Sequence, residues 1–292
     1  MQIQSEHYRR VFYDFIDYLE LMGYHDLGQS GVKGMLCFLE QQGVLDLAQI
    51  NSGHIKAHYL YLQQRPARLG GQLSPHTIYG YIQNIRLFLR WAEQTQKISI
   101  SPMAAMHFPS PSQSRRIILS KAQIKTLYAA CTAPIERMTL SLFYGCGLRA
   151  SEGQNMNLQD INIRTGLLYV RSGKGKKRRI IPMTATVVRT IENYVFEQRP
   201  AQVTRLTIGK DRHALALNRV GRRMRQASYR ILLKKMLEQA ELSLEVSLHN
   251  LRHSIATHLL ADGMSIERVR DFLGHDSLEA TQLYTQVNIT QL

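Results

Sequence analysis

The sequence has few cysteines, and those it has are scattered. Its 292 residues include three cysteines, at positions 37, 131 and 146, and a single tryptophan. Isolated cysteines in odd number, with no CxxC pair, exclude a disulfide scaffold and are typical of a reducing, cytoplasmic setting. The chain also has no apolar run long enough to span a bilayer and no signal-peptide pattern at its start. We therefore expect an intracellular protein without a membrane partner.

Acidic residues are scarce as well, above all in the second half of the chain. Overall, 37 lysines and arginines oppose 22 acidic residues, which leaves a net charge of +15. Residues 1–98 are almost balanced, with nine basic and eight acidic residues, whereas residues 99–292 hold 28 and 14. No acid occurs from position 161 to 191, and six of the nine residues in 171–179 are basic. Such clustering predicts that the second half binds a polyanion, because a charge that serves only solubility has no need to cluster.

The first part of the chain reads as four amphipathic helices. The spacing of apolar residues predicts them over residues 6–22, 30–42, 52–64 and 74–91. Ser74, as a cap before Pro75, is a strong start signal for the last of them. Residues 1–98 are therefore expected to form a helical domain without a catalytic constellation of its own. Three prolines among serines predict that residues 99–119 form a linker.

Residues 120–292 combine helices with short strands. Ser120 and Pro134 begin two helices, and further helices are predicted over residues 184–198 and 226–241. Between them, alternating apolar residues and turn signals predict three short strands, at residues 161–164, 167–171 and 178–182. The predicted fold class is mainly α with a small antiparallel β-sheet.

The stretch from His249 to Tyr284 contains groups that folding alone does not require. His249 and Arg252 stand three residues apart, so a helix places them on one face, where they form a candidate anion site. A second helix follows, which Gly274 ends and which presents His275 at its edge. Tyr284 lies nine residues beyond that histidine.

Two further cations stand at glycine-bearing turns. Arg149 follows a Gly-Cys-Gly break at the start of a short helix, where it can be aimed into a cleft. Lys174 lies at the tip of the basic hairpin between the second and third predicted strands. A phosphate-binding P-loop is an alternative for this hairpin. However, the GxxxxGK[ST] spacing is absent and a strand follows instead of a helix, so we favour a basic hairpin.

Together these motifs resemble a known family. The segments Gly147-Leu148-Arg149-Ala150-Ser151-Glu152 and Ser172-Gly173-Lys174-Gly175, with the stretch from position 249 to 284, resemble the catalytic domain of tyrosine site-specific recombinases, the Xer and phage-integrase family. The resemblance covers residues from about 115 to 292 strongly and the first part more loosely. It implies a helical, SAM-like core-binding domain over residues 1–98 and an α+β catalytic domain over residues 120–292, which grip opposite faces of DNA.

The resemblance implies a metal- and ATP-independent exchange of DNA strands with six catalytic residues, which are Arg149, Lys174, His249, Arg252, His275 and Tyr284. A tyrosine hydroxyl with a pKa of about 10 is a poor nucleophile, so the phosphodiester that it attacks has to be polarised by cations. Two arginine forks can hold both non-bridging oxygens and stabilise the transition state, while His275 donates a further hydrogen bond. The product is a covalent 3′-phosphotyrosyl link on the way to a Holliday junction.

Proton transfer falls to two other residues. His249 is placed either to assist at the phosphate or to accept the proton of the tyrosine, and the two roles stay open. By resemblance, Lys174 protonates the departing 5′ oxygen. Glu152 is expected to buttress the turn at Arg149, and His253 and His258 are interpreted as structural.

DNA contacts are predicted on three surfaces. In the family, the helix at residues 226–241 lies in a major groove, which makes its outward residues candidates for base reading and the basic residues beside it candidates for phosphate contact. The predicted contacts are Arg86, Arg90, Lys176, Lys177, Arg178, Arg179, Arg222, Arg223, Arg225, Gln226, Ser228, Tyr229 and Arg230. The predicted partners are double-stranded DNA recombination sites and further copies of the chain, four protomers on two sites. Because only eight residues follow Tyr284, we expect a monomer without DNA.

Three alternatives remain open. A type IB topoisomerase shares this chemistry but relaxes DNA, and the helical first domain and small size favour recombination over it. A non-catalytic DNA-binding protein on the same fold has no need of all six catalytic residue types. A metallohydrolase could use His249 and His253, but Asn250 stands where a zincin has glutamate, and no third ligand is evident nearby.

Overall fold

The computed structural model describes residues 2–24, 29–67, 70–112, 117–171 and 178–274. The chain separates into two compact units, residues 1–114 and 115–292. In the described part of the chain, no helix combines the length and the apolar character needed to cross a membrane.

Among its described residues the first unit contains four α-helices, as the apolar spacing predicts. They are α1 (Glu6–Leu21), α2 (Gln29–Gln41), α3 (Ser52–Gln64) and α4 (Pro75–Gln94). The Ser74 side chain accepts a hydrogen bond from the Thr77 N–H, which confirms the predicted cap of α4. In the core, the Phe15 ring lies 5.2 Å from the rings of both Phe88 and Trp91. Aromatic packing of this kind joins α1 to α4.

Some apolar residues of the segment predicted as a linker, residues 99–119, pack against one unit or the other. Met103 is 2% exposed in the core of the first unit, and the Phe108 ring lies 5.0 Å from the ring of Tyr59. Leu119 is 2% exposed in the core of the second unit. These apolar residues thus have partners in their own unit, and the boundary between the units, at residues 114 and 115, falls within the segment, whose role as a linker stays a prediction.

The second unit contains eight helices among its described residues. They are α5 (Lys121–Ala129), α6 (Pro134–Leu140), α7 (Ala150–Asn155), α8 (Ala185–Asn193), α9 (Arg199–Gln202), α10 (Gln226–Gln239), α11 (Leu248–Ala261) and α12 (Ile266–Leu273). Wider π-helical turns extend α6 and α8, at Ser141–Gly145 and Tyr194–Gln198. The cap predicted at Ser120 is present, and Ser265 caps α12 in the same way.

A small antiparallel sheet completes the second unit. Its strands are β1 (Ile161–Asn162), β2 (Leu167–Val170) and β3 (Arg179–Pro182), in that order. Leu168 pairs with Ile181, and Val170 pairs with Arg179. Because side chains alternate along a strand, Arg179 shares the face of the buried Ile181. The mainly helical fold with a small antiparallel sheet confirms the predicted fold class.

Candidate active site

A tight turn between the extension of α6 and α7 places Arg149. Gly147 has a φ of +59°, in the left-handed region that favours glycine, and a Cβ there would meet the Leu273 Cδ2 atom at 2.9 Å. Arg149 then stands immediately before α7. Its backbone N–H donates to Glu152 Oε2 at 2.8 Å, and its Nη1 donates to Glu152 Oε1 at 2.9 Å. These bonds confirm that Glu152 buttresses the Arg149 turn.

Arg252 reaches the same place from α11. It is 1% exposed. Its Nη1 donates to the Gly147 carbonyl and lies 3.9 Å from Glu152 Oε2, while its Nη2 donates to the Leu273 carbonyl at 2.7 Å. Two arginines that are far apart in sequence therefore meet at one carboxylate.

A third arginine, Arg179 from β3, completes the cluster. Its Nη1 and Nη2 donate to the two oxygens of Glu152 at 2.9 and 2.8 Å, in a bidentate fork. Its Nε donates to the Phe272 carbonyl at 3.0 Å, and its side chain is 9% exposed. The Arg179 guanidinium therefore points into the protein, an orientation that does not support the predicted contact with DNA.

The end of α12 is held by all three arginines. A helix leaves its last carbonyl groups without partners inside the helix. Here Phe272 accepts from Arg179, Leu273 accepts from Arg252, and the carbonyl of Gly274 accepts from Arg149 Nη2 at 2.9 Å. The negative end of the helix thus faces three cations, which is the favourable polarity.

Glu152 is ionised at the centre of this cluster. Burial by itself would raise its pKa, but the hydrogen bonds and charge of Arg179, together with the N–H and charge of Arg149, outweigh burial and lower the pKa to about 2. One carboxylate and three guanidiniums carry a formal charge of +2. Such a site favours binding of an anion such as a phosphodiester.

His249 lies in the first turn of α11 and is exposed. Its ring centroid is 4.0 Å from that of His253, at an interplanar angle of 72°. His258, on the same helix, has its Nδ1 atom 2.9 Å from the Tyr144 hydroxyl. Within the described residues, no group of three histidine, cysteine or acidic side chains could hold a metal ion. The metallohydrolase alternative thus gains no support from this part of the chain.

The remaining predicted catalytic residues, Lys174, His275 and Tyr284, lie outside the described residues, as do the predicted DNA contacts Lys176 and Lys177.

Comparison with known proteins identifies the family of the chain. A profile of the phage integrase family matches residues 118–291, which is more than half of the chain. The chain belongs to the phage integrase family. It is a site-specific tyrosine recombinase, an enzyme that cleaves and rejoins DNA strands. The family assignment and activity that the sequence motifs imply are thereby confirmed.

Named relatives of the recombinase cover most of its length. The tyrosine recombinase XerC of Oceanobacillus iheyensis is 31% identical over 86% of this chain and 81% of its own length. XerC of Chlamydia trachomatis is 32% identical over 95% of this chain and 93% of its own length. Among solved structures, the Tn1549 transposon integrase in complex with a circular intermediate DNA has a TM-score of 0.72 at 15% identity, covering 98% of this chain and 99% of that chain. At this identity, the likeness shows the shared fold.

Several predicted DNA contacts of the recombinase have accessible side chains. Gln226 and Ser228 are half-buried in the first turn of α10. The exposed cations are Arg90, Arg178, Arg222, Arg225 and Arg230. Arg86 is half-buried and donates from Nη2 to the Met106 carbonyl at 2.9 Å within the first unit. For all of these, DNA contact stays a prediction.

Two other predicted DNA contacts point inwards. Tyr229 was expected on the outer face of α10, but it is 1% exposed and packs edge-on against Phe143, with ring centroids 5.1 Å apart. Burial also raises the pKa of its hydroxyl. Arg223 donates from Nη1 to the carbonyls of Gln154 and Met156, both at 3.1 Å. Tyr229 is a core residue, and Arg223 connects the segment that precedes α10 to the end of α7.

Sequence reasoning missed the role of Glu152 as the shared partner of three arginines. Its contact with Arg149 spans three residues and is local, but the contacts with Arg179 and Arg252 are not. One signal was available in the sequence. The period of two along β3 places Arg179 on the same face as the apolar Ile181, which predicts an inward side chain.

Proposed function

We propose that Arg149 and Arg252 bind the two non-bridging oxygens of the scissile phosphodiester and that Tyr284 is the nucleophile. The observation that carries this proposal is the meeting of both guanidiniums at Glu152, at 2.9 and 3.9 Å, although one comes from the turn before α7 and the other from α11. Because the protein already holds both guanidinium groups in place, they lose little conformational entropy when a phosphate binds.

The chemical step conserves the phosphodiester. The phenol oxygen of Tyr284 forms a bond to phosphorus, and the bond from phosphorus to the 5′ oxygen breaks, which leaves a 3′-phosphotyrosyl link. The proton of the tyrosine goes to His249 or to solvent, and Lys174 supplies a proton to the departing 5′ oxygen. Attack by the 5′ hydroxyl of a second strand reverses these steps and creates a Holliday junction. The step needs no metal because guanidinium groups meet the charge on the phosphate. It needs no ATP because the phosphotyrosyl link conserves the phosphodiester bond.

Access to the phosphate differs between the two arginines. The Arg149 side chain is 22% exposed, whereas Arg252 is 1% exposed. A phosphate can therefore meet Arg149 first, and contact with Arg252 requires the groups around it to move. Binding of the phosphate is thus expected to be coupled to the movement that brings Arg252 into contact with it.

The partners follow from the activity. We propose double-stranded recombination sites as substrates, with four protomers on two sites during exchange, a monomer without DNA, and action in the cytoplasm. Neighbouring sites on DNA raise the effective concentration of protomers, which favours assembly there.

The nucleophile is tested with a nicked suicide substrate, on which a covalent complex accumulates. Tyr284→Phe is expected to bind the site DNA normally and to form no SDS-resistant adduct. Tyr13→Phe is a matched control, since Tyr13 is 64% exposed in the first unit and has no proposed role. It should form adduct at the wild-type rate. Adduct of unchanged yield from Tyr284→Phe would remove this tyrosine from the mechanism.

A further inference from the structure

Arg179 is the member of the arginine cluster to which the proposed chemistry assigns no task. We propose that it is a positioning residue, whose fork holds Glu152 and the end of α12 in the arrangement that aims Arg149 at the phosphate. The inference rests on the proposed role of Arg149. It adds a residue that acts through Arg149 and touches no DNA.

The contacts of Arg179 join three elements. Both terminal nitrogens bond the carboxylate of Glu152 on α7, at 2.9 and 2.8 Å. Its Nε bonds the Phe272 carbonyl at the end of α12, at 3.0 Å. Because β3 carries the residue, one planar group sets the spacing of β3, α7 and α12. A guanidinium is suited to this task, since its donors diverge in a fixed plane.

Arg149 depends on the same two elements. Glu152 Oε1 accepts from Arg149 Nη1 and from Arg179 Nη1, both at 2.9 Å. The second bond of Arg149 goes to the Gly274 carbonyl, one residue past α12. Arg179 bonds the first of these groups directly, and it bonds the Phe272 carbonyl two residues before the second. Without Arg179, the carboxylate is free to turn towards Arg149 and to hold it away from a phosphate.

The aliphatic part of Arg179 also lies against the chain at Gly274. A Cβ added to Gly274 would be 2.9 Å from Arg179 Cδ and 3.3 Å from its Nε. Gly274 has a φ of +66°, the left-handed conformation that ends α12. Removing the arginine side chain opens space beside this turn, so the carbonyl that orients Arg149 can shift.

A direct role at DNA does not fit the same residue. The side chain is 9% exposed, and among the described residues its hydrogen bonds run to Glu152 and Phe272 inside the second unit. Its neighbour Arg178 is exposed, as expected from the alternation of side chains along a strand. These two adjacent arginines, one just before β3 and one in it, therefore have different environments.

The first experiment separates positioning from binding. Adduct formation on the suicide substrate is measured at saturating DNA, and DNA affinity is measured at several salt concentrations. Arg179→Gln is expected to slow adduct formation about 100-fold, as misplacement of a catalytic group by about 1 Å can do. Its affinity for DNA, and the dependence of that affinity on salt concentration, should stay within about twofold of the wild type. Arg189→Gln, which removes an exposed arginine from α8, is the control and should react at the wild-type rate.

The second experiment asks whether Arg179 acts through Arg149. In an Arg149→Lys background, adding Arg179→Gln should slow adduct formation less than about tenfold, because the group that Arg179 positions is already altered. If Arg179→Gln only impaired folding, the rate losses of the two single variants would instead multiply in the double variant. Arg179→Lys keeps the charge but can make only one bond to Glu152, so an intermediate loss of about tenfold is expected. This variant also serves if Arg179→Gln fails to fold, which a thermal melt would show.

Three results would overturn the proposal. One is weaker DNA binding with an unchanged rate at saturation, which would make Arg179 a phosphate contact. Another is full multiplication of the two effects in the double variant. The third is a wild-type rate in Arg179→Lys. Failure of the proposed function is distinguishable from these, because the wild-type chain itself would then form no adduct through Tyr284.

Discussion

Replacing Glu152 by glutamine should destabilise the second unit in a pH-dependent way. The carboxylate is 3% exposed and bonds Arg149 and Arg179, with Arg252 at 3.9 Å. Glu152→Gln keeps the shape but removes the negative charge between three buried or half-buried cations. Breaking a buried charge network by removing one partner typically costs about 3–5 kcal/mol.

The pH dependence follows from the pKa of Glu152, which is lowered from 4.5 to about 2. A difference of this size corresponds to a stabilising contribution on the order of 3 kcal/mol near pH 7. Because the pKa is lowered by folding, this contribution is fully present well above pH 4.5 and is lost as the pH falls towards 2. At about pH 3, roughly 1 kcal/mol remains. The difference in free energy of unfolding between wild type and Glu152→Gln should therefore narrow by about 2 kcal/mol from about pH 7 to about pH 3.

The assay is urea unfolding followed by far-ultraviolet circular dichroism across this pH range. Trp91, the single tryptophan, is 5% exposed in the core of the first unit. Its fluorescence therefore reports on the unit that lacks Glu152 and serves as an internal reference.

A surface carboxylate supplies the control. Glu238 lies 3.9 Å from Lys234 on α10, and both side chains are more than half exposed. Glu238→Gln should cost less than about 1 kcal/mol at any pH. Parallel pH dependences for wild type and Glu152→Gln would refute the inference that an ionised Glu152 holds the arginine cluster together.

Three other predictions concern the activity and the assembly. Adduct formation should persist in EDTA because guanidinium groups carry the charge that a metal would supply, and loss in EDTA with rescue by zinc would revive the metallohydrolase alternative. Residues 115–292 alone should bind DNA with a steep salt dependence, because this fragment holds 28 of the lysines and arginines. Residues 1–114 alone, which hold nine, should bind only weakly. Equal salt dependences of the two fragments in a filter-binding assay would contradict this prediction. Light scattering at micromolar concentration should show a monomer without DNA, because neighbouring binding sites on DNA are what raises the effective concentration of protomers. A stable tetramer without DNA would contradict this.

The sequence determined the local elements well because their signals are local. Serine caps, glycine stops and apolar spacing act within a few residues, so the helix starts at Ser74 and Ser120 and the end of α12 at Gly274 agree with the structure. The order of the recombinase motifs was also sufficient to assign the family. The contact between Arg149 and Glu152 spans only three residues and could be predicted for the same reason.

Helix orientation was harder where polar and apolar residues mix. On α10 Tyr229 was predicted to face outward, yet it is 1% exposed, whereas the apolar Ile231 is 72% exposed. The Phe143 ring supplies the surface against which Tyr229 packs. Because that partner lies on another element, the helix's own pattern could not identify its buried face.

The arginine cluster depended on tertiary structure. Arg149 bonds a carbonyl 125 residues away, and Arg252 bonds one 105 residues away. Such contacts depend on how α7, α11, α12 and β3 pack, and packing is decided by side chains along the whole unit. The sequence by itself determined which residue types were available for phosphate chemistry. Only the fold decided that one buried carboxylate would gather three arginines, because close approach of like charges requires a partner fixed between them.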